Sequence, residues 1–152
     1  MKERAPMLLA ITFIIASSIR PDQVYQHAHV PVLIPSVLHA EDANRRVYEY
    51  VESAERGTYK IRFDGLRNCF GAGACYIGFV SGGTKNQFSA YHPAQSVRLQ
   101  DGTPATFVPF GCGGSCGDSQ ITFRWHGYYY LLALKAATET EMLRAANSML
   151  PH

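Results

Sequence analysis

The sequence predicts an α+β domain: an antiparallel β-sheet of about five to seven strands with one C-terminal amphipathic helix packed on one face. Three observations carry this. Segments of period-two alternation recur between residues 45 and 135, punctuated by glycine-containing turns. The last of them, residues 128–135, is apolar on both faces, as a covered central strand must be. Thr138-Glu139-Thr140-Glu141 then forms a capping box, which places Met142, Ala145, Ala146, Met149 and Leu150 on one side of a helix over 139–149. A run of antiparallel strands followed by one such helix packs as two layers.

The first eighteen residues are set apart. Lys2 and Arg4 precede a continuous apolar run, Met7 to Ala16, and Ala16-Ser17-Ser18 fits the small-x-small rule for cleavage after Ser18. The run is shorter than the roughly 18 residues a spanning helix needs. Residues 1–18 are therefore expected to be a signal peptide and no stable transmembrane span, against the alternatives of a buried helix or a retained anchor. Removing them leaves 12 basic against 11 acidic residues, a nearly neutral domain.

Residues 19–40 read as an extended, proline-containing lead-in, because Pro31 and Pro35 bar a helix from 30–35. The single α+β domain is expected over 41–152. Tyr59, Ile61 and Phe63 alternate with Lys60, Arg62 and Asp64, which makes 58–64 a half-buried strand. The Arg56-Gly57 turn pairs it with the segment before, although Val47, Tyr50, Val51 and Ala54 also fit a helical stripe. Residues 75–81 form the next strand, ended by Gly82-Gly83. Asp101-Gly102 marks a hairpin between 96–99 and 105–108. Ile121, Phe123 and Trp125 alternate with Thr122, Arg124 and His126, and a turn at His126-Gly127 leads into the final strand.

Composition narrows the function classes. At 47% hydrophobic and 17% charged, the chain can bury a real core and is not expected to be disordered. Charge argues against nucleic acid as a partner: the signs are scattered, with no concentrated basic stripe to neutralise phosphates.

The chemistry-bearing stretch is Phe110 to Ser119, FGCGGSCGDS. Three residues separate Cys112 from Cys116, which departs from the two-residue spacing of thioredoxin-like redox centres. Cys69, Cys75, Cys112 and Cys116 offer four thiolates for zinc, but the 69/75 pair is spaced more loosely than a zinc knuckle. Gly113-Gly114-Ser115-Cys116-Gly117 matches the G-x-S-x-G elbow, yet a strand follows where that motif needs a helix. A stapled turn in an oxidising compartment fits best. Small local rings are worth only about 2 kcal/mol each, whereas a bridge from 69 to 112 approaches about 4. The glycines at 71, 73, 113 and 114 nevertheless let tight rings close without strain. Local pairing is favoured over cross-pairing, which stays open.

Among the remaining candidates, His27-x-His29 puts two imidazoles on one side if the segment is extended, but it reads as a mobile stretch and not a metal pair. His39, His92 and His126 have no partner that the sequence vouches for. Trp125, Tyr128 and Tyr130 are candidates for a binding surface that stacks on sugars or peptide, or for ordinary core. Glu49, Glu52 and Glu55 read as solvated charges.

Taken together, Val30 to Ser36, Tyr59 with Ile61, the two cysteine pairs, Ile121-Thr122-Phe123 with Trp125, Tyr128-Tyr129-Tyr130 and Ala146-Asn147-Ser148 give the chain a likeness. It resembles a loose group of small, secreted, uncharacterised bacterial proteins, frequent in cyanobacteria, over about residues 30–150. No activity attaches to that group, so the resemblance implies fold and compartment alone. The expectation is a secreted or periplasmic disulfide-containing domain, without cofactor or metal, that binds a cell-envelope component, peptide or glycan and catalyses nothing. One alternative is a small extracytoplasmic hydrolase using Ser115 with His126. A second is a cysteine-ligated zinc domain.

Overall fold

Period-two patterning becomes a seven-stranded sheet in the computed structural model, which describes residues 13–14, 19–38, 46–69, 72–87, 93–112 and 116–152. In chain order, β1 (Phe13–Ile14) precedes helix α1 (Pro21–Ala28) and β2 (Val37–Leu38). Then come β3 (Tyr48–Glu55), β4 (Thr58–Asp64), β5 (Tyr76–Gly83), β6 (Gln95–Arg98) and β7 (Pro104–Val108). Two short strands, β8 (Gly111–Cys112) and β9 (Cys116–Gly117), lead into β10 (Ser119–Trp125), β11 (Tyr128–Leu134) and helix α2 (Glu139–Met149). The large sheet runs β3-β4-β5-β11-β10-β7-β6, with every neighbouring pair antiparallel. The doubly apolar strand, β11, is the middle one, as its sequence requires.

Register turns the alternation into a core. Ile61, Val80, Leu132, Ile121 and Phe107 are aligned partners across five strands, and each is buried. Burying an aliphatic or phenyl side chain of this size is worth roughly 1.5–3 kcal/mol, so this one row is a main source of stability. The next row is Tyr59, Gly82, Tyr130, Phe123 and Ala105. Gly82 is required there: a Cβ would stand 2.5 Å from the Tyr59 ring and 2.9 Å from the Tyr130 ring. Gly82 and Gly83 thus lie inside β5, where the sequence pattern placed its end. The missing side chain is what lets both tyrosine rings lie against this strand.

Helix α2 closes this inner face with Met142, Ala145, Ala146 and Met149. The capping box is complete. Thr138 Oγ1 accepts the Glu141 N–H, and the Glu141 carboxylate accepts the Thr138 N–H.

Residues 30–38 form a strap across the same face, extended as the prolines demand, with Val30, Leu33 and Leu38 buried. Three elements pin it. The Tyr59 hydroxyl donates to the Leu33 carbonyl at 3.0 Å and accepts the Leu33 N–H at 2.9 Å. The Tyr130 hydroxyl donates to the Pro31 carbonyl at 2.9 Å. Ser148 Oγ accepts the N–H groups of Ser36 and Val37.

The lead-in departs from its reading in one respect: residues 21–28 are helical, not irregular. Pro21 sits in the first turn, where its missing N–H is no loss, and Val24 and Ala28, four apart, bury one stripe. His29 caps this helix in the left-handed conformation, φ 54°. Eight residues are too few for the pattern to announce itself. The boundary expected at 41 falls outside the described residues. So does most of the stretch read as a signal peptide; only Phe13–Ile14 is described, its backbone paired with Val37–Leu38. Among the described residues, no helix is long and apolar enough to cross a membrane.

Candidate functional site

The inner face is filled by helix and strap; the outer sheet face is open, as is a wider hollow of about 430 Å³ on the solvent side of α2, lined by Gln100, Thr140, Leu143, Arg144, Asn147 and His152. The side chains of the outer sheet face come from the alternate positions: Tyr48 and Tyr50 of β3, Lys60 and Arg62 of β4, Phe79 of β5, Arg124 of β10 and Tyr129 of β11. The cation–ring contacts all involve rings on this face. Arg46 and Arg67 both lie over Tyr48, at 5.7 and 5.9 Å. Arg62 lies over Tyr50 at 5.4 Å, Lys60 over Phe79 at 4.3 Å and Arg124 over Tyr129 at 5.4 Å. Each is worth roughly 0.5–1 kcal/mol at an exposed site, so their main effect is to fix where the cations stand. Lys60 also pairs with Glu52 at 3.2 Å, and Arg62 with the buried Asp64 at 3.0 Å.

A shallow groove of about 140 Å³ opens on this face, lined by Asn86, Gln87, Thr122, Arg124, Tyr129 and Leu131. Gln87 is built into its wall: the amide oxygen accepts from Ser81 Oγ and the amide nitrogen donates to Thr58 Oγ1. At the opposite end of β5, the Tyr76 hydroxyl donates to Asp118 at 2.8 Å. Burial, then that bond and the negative charges of Asp118, Glu52 and Asp64, push the Tyr76 phenol far above its ordinary value. It stays un-ionised at any physiological pH and is a donor, not a base.

The four cysteines form two local disulfides, Cys69–Cys75 and Cys112–Cys116, the pairing that the neighbouring glycines favoured. No sulfur among them is a free thiolate for metal. Among the described residues, no three His, Cys, Asp or Glu side chains gather as a metal site. The two bridges differ in setting. Cys69 and Cys75 are each 5% exposed, whereas Cys112 and Cys116 stand exposed on the β8–β9 hairpin. Thiol–disulfide exchange needs an approach to sulfur. Brief treatment of the native protein with a phosphine reductant and iodoacetamide is therefore expected to label Cys112 and Cys116 first. Simultaneous labelling of all four by peptide mapping contradicts this.

The other candidates are dispersed. Ser115 lies outside the described residues, as do His39 and His92. His126 forms the β10–β11 turn with Gly127, φ 49° and 85°, its ring stacked on Trp125 at 3.8 Å. Between it and Cys116 runs all of β10, about 20 Å at the usual rise per residue. His27 and His29 sit at the end of α1 and not on an extended segment. Tyr130 is 1% exposed, stacked on Phe123 and bonded to the strap, while Trp125 and Tyr128 are half-buried against the core. The tyrosine turned outward is Tyr129, their neighbour.

The outer-face cations and rings are the residues that sequence reading passed over. Their signal was present in Arg46, Tyr48 and Tyr50 facing Arg62 and Lys60, but it is a pairing across strands and shows only once the register is known. Comparison with protein-family models, with curated proteins and with solved structures finds no match for this chain.

Proposed function

We propose that the chain is a secreted or periplasmic, disulfide-stapled binding module that recognises a cell-envelope component, a peptide or a glycan on its outer sheet face and catalyses no reaction. The observation that carries this reading is the division of labour between the faces. The inner face is packed and bolted shut, while the outer face holds cations over rings, one such pair, Arg124 over Tyr129, lining an amide-walled groove. At about 140 Å³ that groove is well below the roughly 300–1,000 Å³ of enclosing small-molecule pockets. It takes one protruding group of a larger partner, not an engulfed substrate. The two disulfides support an oxidising compartment, and the export-like N-terminus and the resemblance to secreted bacterial proteins agree with it.

Two experiments test the reading. The chain expressed with its own N-terminus in a diderm bacterium is expected outside the cytoplasm, with an intact mass that fits cleavage after Ser18. Screening on glycan and peptide arrays is expected to find a ligand, while a hydrolase panel stays silent. Turnover that disappears in Ser115→Ala replaces the proposal with a serine hydrolase.

A further inference from the structure

At the β3 edge of the outer face stand two arginines that have no ion-pair partner among the described residues. Arg46 and Arg67 approach one ring, Tyr48, from two different parts of the chain. Arg46 stands two residues before the start of β3, and Arg67 belongs to the loop after β4. That loop is fastened to the sheet, because the Tyr50 hydroxyl donates to the Arg67 carbonyl. Both arginines are exposed. On β3 and β4, Glu52 pairs with Lys60 and Asp64 with Arg62, while Glu49 of β3 is half-buried and engaged in a contact of its own. Two exposed guanidiniums thus share one ring, each within 6 Å of its centroid.

Such an arrangement is complementary to carboxylate or sulfate, because guanidinium donors match those groups bidentately. Holding the cations on a ring beforehand lowers the ordering cost of binding. We infer that the Arg46–Tyr48–Arg67 edge binds an acidic polysaccharide through its carboxylate or sulfate groups. This rests on the reading of the chain as an extracytoplasmic binding module and names its ligand class. A membrane surface is less well matched, since interfacial binding buries a contiguous apolar face and Leu66 is the large apolar side chain exposed beside Arg67. Nucleic acid is less well matched because two disulfides point away from the compartments where it resides.

The test uses the full, oxidised chain and four probes at low salt: polygalacturonate, dextran, a single-stranded oligonucleotide and phosphatidylglycerol vesicles. Binding is expected for polygalacturonate and not for dextran, and it weakens as salt screens the charges. The Arg46→Ala/Arg67→Ala double variant is expected to lose about tenfold or more in affinity with an unchanged circular dichroism spectrum. Arg98→Ala, an exposed guanidinium on β6, leaves the affinity unchanged and separates a local site from general charge. Equal binding of dextran, an intact affinity in the double variant, or binding confined to vesicles or oligonucleotide overturns the inference. If dextran or an array peptide binds in place of polygalacturonate, the ligand class is wrong and the binding module stands. If every probe and array is silent, both fall.

Discussion

Tyr59→Phe is expected to lower the free energy of unfolding by about 3 kcal/mol, although it removes a single oxygen. That oxygen serves two backbone groups of the strap, accepting the Leu33 N–H and donating to the Leu33 carbonyl. Tyr59 is 0% and Leu33 6% exposed, so water does not replace it. A buried donor or acceptor left without a partner costs roughly 1–3 kcal/mol, and here one of each is orphaned. Tyr130→Phe is the internal comparison: it breaks one bond, to Pro31, and is expected to cost about 1 kcal/mol. Urea unfolding with both disulfides intact measures the difference. A Tyr59→Phe protein within about 0.5 kcal/mol of the parent shows that the strap is not held by this hydroxyl.

The second large effect is a loss of stability in alkali. Burial, the leading cause, raises the Tyr59 phenol far above its ordinary value, although the Leu33 bond pulls the other way. Tyr130 is raised by burial and then by nearby Tyr128, and Tyr76 by burial and then by Asp118. In the unfolded chain these phenols ionise near pH 10. Above that pH the native state binds more protons than the unfolded state, so unfolding becomes more favourable as pH rises. The contribution of these tyrosines is fully present below about pH 10 and is lost above it. A phenol that cannot ionise while folded gives a slope of about 1.4 kcal/mol per pH unit. Tyr59 alone supplies that much, and Tyr130 and Tyr76 act in the same sense. Stability from chemical denaturation is expected to be free of tyrosine-linked loss between pH 8 and 9.5 and to fall steeply from 10 to 12. Tyr59→Phe flattens that fall as well as lowering the plateau. A curve unchanged to pH 12 refutes the assignment.

Much of the fold is legible because sheets are read locally. Alternation fixed Tyr59, Ile61 and Phe63 inward, glycine marked the turns at 57, 102 and 127, and Thr138 with Glu141 announced the last helix. The disulfide pairing was also within reach, since glycines beside each cysteine made short rings possible. Helix α1 was not, because its stripe is two residues, Val24 and Ala28, behind a proline that elsewhere in the lead-in means extension. The outer face was illegible for a different reason. Tyr128, Tyr129 and Tyr130 are indistinguishable in composition, and only their partners, Trp125, Arg124 and Phe123, decide which ring reaches solvent. Arg67 meets Tyr48 through a loop and a hydrogen bond that no spacing rule encodes. The residues behind the resemblance prove to be neighbours in space. Leu33 meets Tyr59, Pro31 meets Tyr130 and Ser36 meets Ser148. These contacts make one structural clasp from segments far apart in the chain.

That clasp also sets an order of events during synthesis. Ser36 and Ser148 are 112 residues apart, and the strap's other anchors, Tyr59 and Tyr130, face α2 across the same core. A chain still growing on the ribosome has made most of its hairpins before residue 148 emerges, yet it cannot fasten the strap. Until then the strap lacks its α2 anchor, and the apolar row lacks the cover of Met142, Ala145, Ala146 and Met149. The strap is thus a late closure: its two tyrosine anchors come with the sheet, and its serine anchor is added only when α2 docks.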